Sequence, residues 1–292
     1  MTAQAFLQVV ASGLLTGLLY ALIAVGLSLI FGLMDVVNFA HGEFLMAAMY
    51  ATFFLSLGSG LDPVLVTPVV VVLLFALGAA AYLGIVRHAV RAKANAGMAQ
   101  IFSTFGLAIF LQGAAQFFFS PDYRSVQKSW LGGRTLNVFG VFLPAPQVYG
   151  GLVSIAAFVG LYLLLTRTDF GRALEATRED QGAVSLVGID RDRIFALGWG
   201  LGAALVGLAG AVLAIFFYIH PQVGAPFALV AYVVVALGGF GSIFGALAAG
   251  LIVGLVEALA TTVMQPSMKS VAVYALYLAV VVVRPHGLFG RL

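Results

Sequence analysis

The chain has 292 residues, of which 62% are hydrophobic and only 9% charged, and its mean hydropathy is +1.10. A soluble domain carries about 25% charged residues to face water, so this composition excludes a water-soluble globular protein and points to a chain solvated by lipid. The formal charge of +3 falls in loops between apolar runs, where positive-inside topology explains it without nucleic acid, and the lack of cysteine excludes disulfides, thiol catalysis and thiolate metal sites.

A chain of this length holds one membrane domain of about eight helices at roughly 20 residues per span. Apolar stretches fall at 6–33, 44–57, 64–86, 99–119, 147–166, 194–219, 227–263 and 270–283. The first has no basic n-region and exceeds the apolar run of a signal peptide, so it reads as a retained span. The expected fold is all-α: a polytopic membrane protein of about eight helices plus a short broken or re-entrant half-helix. It forms one domain over 1–292 with a cytoplasmic loop at 167–193.

Between the first two spans lies "MDVVNFAHGEF", which gathers Asp35, Asn38, His41 and Glu43. A metal-dependent enzyme would need a second histidine four residues on, and the nearest other one is His88, beyond the next span. Two readings remain. In one the patch is a helix junction, with Asn38 as N-cap and Glu43 near the positive end of the helix dipole. In the other, Asn38, His41, Gly42 and Glu43 line a translocation path or gate at the end of a broken helix.

The run at 227–263 is too long for one span and is interrupted by "LGGFGS", where Gly238, Gly239 and Gly241 weaken a helix. A half-helix, a break and a full helix are expected, and the break is the candidate counterpart of the 34–44 patch. Glycines at spacing four, Gly13/Gly17, Gly198/Gly202, Gly241/Gly245 and Gly250/Gly254, allow close helix approach in lipid. Glu257 lies inside an apolar span, where an ionisable group faces a bundle interior or cavity unless it reaches the interface. His220 and Pro221 are expected to end the 194–219 helix at the outer surface.

Orientation follows from the loops. Arg87, Arg91 and Lys93, then Arg167, Arg172, Arg178, Arg191 and Arg193, then Arg284 and Arg291 make ten of the fourteen Lys and Arg residues. They belong on the cytoplasmic side, which places loop 120–146 and the amino terminus outside. From Arg172 to Val187 the loop reads as an amphipathic helix, with Ala173, Ala176, Ala183 and Leu186 on one face and Gly188 as a stop. Periodicity alone leaves open whether it docks a partner or is a solvated loop.

"NFAHGEF", "GRALEATREDQGAVSLVGID", "LGGFGSIFGALAAGLIVG" and "RPHGLFG" occur in this order. Together they resemble the LivH/LivM-type permeases of branched-chain amino-acid ABC importers, over about residues 8–291. The likeness is nearer the LivH type, because NFAHG directly follows the first long span. The resemblance implies a bacterial inner-membrane subunit that moves branched-chain amino acids, or urea, short amides or aromatic acids. It also implies two ATPase subunits, a second permease subunit of the LivM kind and a periplasmic solute-binding protein. It assigns Arg172, Glu175, Arg178, Glu179 and Asp180 to a coupling helix seated on the ATPase. The chain has no G-x-x-x-x-G-K-[ST] phosphate loop, so it is expected to be non-catalytic, with ATP and Mg bound by its partners and no metal or cofactor of its own. An autonomous channel or secondary transporter is the rival of another class, and uptake by this chain alone would distinguish it.

Overall fold

The computed structural model describes residues 2–92, 95–138, 140–265 and 268–289. Lys93 and Arg291 lie outside the described residues.

The membrane helices are α1 (Ala3–Met34), α2 (His41–Ser59), α3 (Pro63–Ala81), α5 (Ala96–Phe119), α6 (Ala145–Arg167), α8 (Arg191–Leu213), α9 (Gly224–Gly238), α10 (Ile243–Val263) and α11 (Lys269–Val283). A π-helical turn, Tyr82–Val86, continues α3 into the short α4 (Arg87–Val90), giving one apolar segment over Pro63–Val90. Among the described residues six segments are long and apolar enough to cross a membrane, while α9 and α11 are shorter apolar helices. Together with α2 this meets the expected all-α membrane fold. The boundaries follow local chemistry. Asp62 caps α3 by accepting from Val64 N at 2.9 Å, with Pro63 in the first turn; Ser242 caps α10 from Gly245 N at 3.0 Å.

The outer loop adds a small antiparallel hairpin, β1 (Thr135–Val138) and β2 (Val141–Pro144). Phe142 exchanges two hydrogen bonds with the Gln8 side chain, so the amino terminus lies on the hairpin side. The opposite end of α1 meets Gly241 and the 169–179 helix. With the arginine-rich loops on that second side, the positive-inside rule places the amino terminus outside.

The core is built from two triplets of helices. α1 packs most extensively on α10, and α3 on α8; α2–α8 matches α1–α9, and α2–α3 matches α9–α10. Exchanging α1, α2 and α3 for α8, α9 and α10 therefore maps the packing onto itself. Gly26 meets Gly202, and Gly42 meets Gly224, at the two points this exchange leaves in place. Each helix runs opposite to its counterpart, an inverted repeat of the kind membrane transporters use.

This corrects the expected partner of the 34–44 junction. The chain returns toward the membrane centre at 35–40 before α2, and its counterpart is the 214–223 segment before α9. The glycine break at 239–242 is instead the cytoplasmic turn between α9 and α10. That break has the half-helix, break and full helix expected of the long run, with Gly239 at φ 97° and Gly241 at φ 76°, values that disfavour a side chain. A second correction concerns α8, which ends at Leu213 and well before His220 and Pro221. Beyond it Ile219 is drawn into an antiparallel bridge with Arg124, with N–H to O distances of 2.9 and 2.8 Å. Extended pairing there is incompatible with continued helix.

Candidate functional site

The polar patch occupies the centre of the molecule. α1 ends at Asp35, whose φ of 53° turns the chain back. The Asn38 side chain accepts from Ala40 N at 3.0 Å, and His41 opens α2. Asn38 thus caps the turn before α2, two residues ahead of the cap itself, Ala40. The His41 Nε2 donates to Ile23 O at 2.8 Å, because a carbonyl only accepts. Ile23 is eleven residues from the cytoplasmic end of α1, about 16 Å along the helix, so this non-helical stretch lies deep in the membrane. It survives there because Val36, Asn38 and Ala40 are buried in protein.

The Tyr232 hydroxyl of α9 donates to Asn38 O at 2.9 Å and ties the two repeat halves together. Asn38 Nδ2, His41 Nδ1 and Glu43 Oε2 remain buried without a hydrogen-bond partner among the described residues. Such groups carry a desolvation cost of about 1–3 kcal/mol each. Gly42 is held against Gly224 O, where a β-carbon would meet backbone. Asn38, His41, Gly42 and Glu43 are therefore brought together, and Asp35 stands apart from them, exposed.

At the cytoplasmic face, α7 (Asp169–Glu179) is capped by Thr168, whose hydroxyl accepts from Gly171 N at 3.2 Å. It starts three residues before the expected helix and ends eight before its expected last residue, Val187. The Asp180 carboxylate accepts from Gly182 N at 2.8 Å and Ala183 N at 2.9 Å, a local turn that competes with helix. Those backbone donors, Ala183 first and Gly182 second, hold the Asp180 carboxyl below the usual aspartate range.

A 3-10 turn, Ala183–Val187, follows. The face buried against α1, α6 and α8 is Gly171, Leu174 and Thr177. The expected apolar face fails at its carboxyl end, since Leu186 is 89% exposed and Val187 74%. Arg172, Glu175, Arg178, Glu179 and Asp180 are all exposed. Arg178 lies over Gly241, and Gly241 packs on Gly32 of α1, so α7 touches the glycine break directly. A cavity of about 320 Å³ between α1, α6, α7 and α10 includes Glu175, Arg178 and Gly241. The last described residues also grip the break: Leu288 N donates to Leu237 O at 2.8 Å and Phe289 N to Gly238 O at 3.1 Å.

Glu257 stands apart from both groups, in the outer half of α10. Its carboxylate pairs with Lys269 Nζ at 2.5 Å, a partner that sequence reasoning missed. A lysine opening an otherwise apolar helix was the available signal. Also missed was Asp192, which ion-pairs with Arg87 Nε at 3.0 Å and with Arg91, and accepts from the Tyr82 hydroxyl at 3.2 Å. A larger outer cavity, about 1050 Å³, lies under residues 123–130 and includes none of the residues singled out as site candidates.

Residues 9–281 match the family described as "Branched-chain amino acid transport system / permease component". The chain belongs to this family. It is 33% identical to the high-affinity branched-chain amino acid transport system permease protein LivH of Escherichia coli over 98% of this chain and 96% of that protein. BraD of Pseudomonas aeruginosa, a permease protein of the same description, is 32% identical with the same coverage. A probable LivH of Methanocaldococcus jannaschii is 28% identical over 93% of this chain and 89% of that protein. Among solved structures, a chain of "PsaBC from Streptococcus pneumoniae in complex with Fab" matches with TM-score 0.49 and 14% identity over 96% of this chain and 93% of that one, too distant to bear on fold or function. This member of the family is accordingly a multi-pass inner-membrane permease component of an ABC transport system.

Proposed function

We propose that this permease forms the translocation path of an ATP-driven importer for branched-chain amino acids and works by alternating access. It assembles with two ATPase subunits that bind ATP and Mg, a second permease subunit and a periplasmic solute-binding protein. The chain itself performs no chemistry.

The observation that carries the reading is α7. It rests on α1, α6 and α8 through Gly171, Leu174 and Thr177, and it leaves Arg172, Glu175, Arg178 and Glu179 exposed. A short helix anchored on one face and charged on the other is suited to a soluble partner, with charge setting the register. Its displacement passes to Gly241 through Arg178 and to the central helices through the buried face. The Gly238–Gly241 turn then flexes, α9 and α10 shift, and the Tyr232–Asn38 bond links that shift to the central junction. The unpaired atoms of Asn38, His41 and Glu43 serve as the gate, taking partners from passing solute or water.

The test is reconstitution of the complex with and without Glu179→Lys. Glu179 has no capping role, so its reversal leaves the fold alone. We expect ATPase co-purification and leucine uptake to fall at least tenfold at unchanged yield of the subunit. Wild-type assembly and uptake in that variant would remove α7 as the coupling element. Uptake by this chain without any ATPase would overturn the importer reading itself.

A further inference from the structure

A cavity of about 250 Å³ opens in the outer half of the molecule, between α1, α6, the α8–α9 connection, α10 and the start of α11. Its lining includes Glu257 and Lys269, with Tyr20, and the three rings of Phe216, Phe217 and Phe227. Both charges sit where stability argues against them. Glu257 is buried within an apolar span, where an ionisable group is costly and apolar packing serves stability as well as an ion pair does. Lys269 is the first residue of α11, where the positive end of the helix dipole disfavours a cation.

An anion and a cation side by side, in a small cavity also lined by aromatic rings, match one solute class closely. We infer that this cavity is a transit site for an aliphatic α-amino acid zwitterion. Its ammonium pairs with the Glu257 carboxylate, its carboxylate with the Lys269 ammonium, and its side chain packs on the phenyl rings. The direct Glu257–Lys269 pair, 2.5 Å in this structure, is exchanged for two pairs with the solute. An amine or a carboxylic acid alone supplies only one and strands the other charge. Ligand pockets run from roughly 300 to 1,000 Å³, so this one admits a single small solute and no peptide.

The inference rests on the importer reading for its choice of solute, and it is separable from that reading by experiment. Equilibrium binding of radiolabelled L-leucine to the purified permease–ATPase complex, without ATP and without the solute-binding protein, reads the site, whereas ATP-dependent uptake by the full complex reads the function. We expect binding that Glu257→Gln and Lys269→Met each weaken at least tenfold. 4-Methylpentanoate and isoamylamine should compete at least tenfold more weakly than leucine. Uptake should fall in both variants while the ATPase activity of the complex stays within twofold.

A wild-type complex that binds leucine without transporting it keeps the site and removes the importer reading. One that transports while both variants bind like wild type removes the site and keeps the reading. If the single variants assemble poorly, the exchange Glu257→Lys with Lys269→Glu restores the ion pair. Restored yield with leucine binding still lost supports the site, and leucine binding restored in full shows a structural pair only.

Discussion

Two glycine-bearing regions behave in opposite ways. In the seam between α1 and α10, a β-carbon on Gly17 would lie 2.8 Å from Gly250 O and 2.9 Å from Leu251 Cα, and one on Gly250 would lie 2.6 Å from Ala21 Cβ. Along α5, Gly106 and Gly113 have no neighbouring atom within 4 Å of that position. The apolar window of α1 is 72% buried and that of α5 is 17%. Glycine is therefore a structural requirement where two backbones touch and dispensable where a helix faces outward. In lipid, where apolar surface gains nothing from leaving water, close packing is the main attraction between helices, and the seam concentrates it.

The seam is the place to break that contrast most severely. Gly17→Leu puts a branched side chain against backbone atoms of α10 that cannot rotate away, so α1 and α10 must separate along their length. Overpacking of this kind costs about 1–3 kcal/mol where neighbours relax, and here they cannot. We expect loss of monodisperse subunit on size-exclusion chromatography, with Gly17→Ala giving a smaller fall in melting temperature. Retention of the wild-type melting temperature in Gly17→Leu would show the seam to be loose.

A gentler probe acts on the matching α3–α8 seam. There Gly78 faces Trp199 O and Gly200, and the cytoplasmic end is closed by charge instead of by glycine. Asp192 holds Arg87, Arg91 and Tyr82 together, with the two arginine side chains 37% and 50% exposed. A hydrogen bond to a charged group is worth about 1.5–3 kcal/mol, and partial exposure lowers that. Asp192→Asn should therefore destabilise the subunit by about 1–2 kcal/mol, less at high salt. A melting temperature independent of both the substitution and the ionic strength would dissolve the cluster as a stabilising element.

The sequence carries these two regions unequally. Spans, the glycine break and the spacing of Gly13, Gly17, Gly250 and Gly254 are local patterns, and local patterns survive in a string of letters. The end of α7 was also legible in principle, because Asp180 followed two residues later by glycine is a turn-forming arrangement. Contacts made only in three dimensions were not legible. Nothing near Asn38 names Tyr232, nothing near Gly42 names Gly224, and Lys269 is twelve residues from Glu257, across a turn. The inverted pairing of α1–α3 with α8–α10 has the same status, since it resides in packing partners and chain direction.

The glycines paired at spacing four are all closely packed, whereas Gly106 has no partner at that spacing and offers the smallest and sharpest test of the outward-facing class. It lies mid-helix in α5, outward-facing, with Phe102, Phe105, Ile109 and Phe110 exposed around it. Glycine in a helix interior is less favourable than alanine by about 0.5–1 kcal/mol, because its backbone loses more freedom on ordering. With open space around the new methyl group, Gly106→Ala should raise the melting temperature of the isolated subunit slightly. In the assembled complex the same substitution reports on what covers this face. A stabilised subunit that no longer pairs with the second permease would mean that another backbone approaches Gly106 there, and α5 would then join the seam helices in needing its glycine.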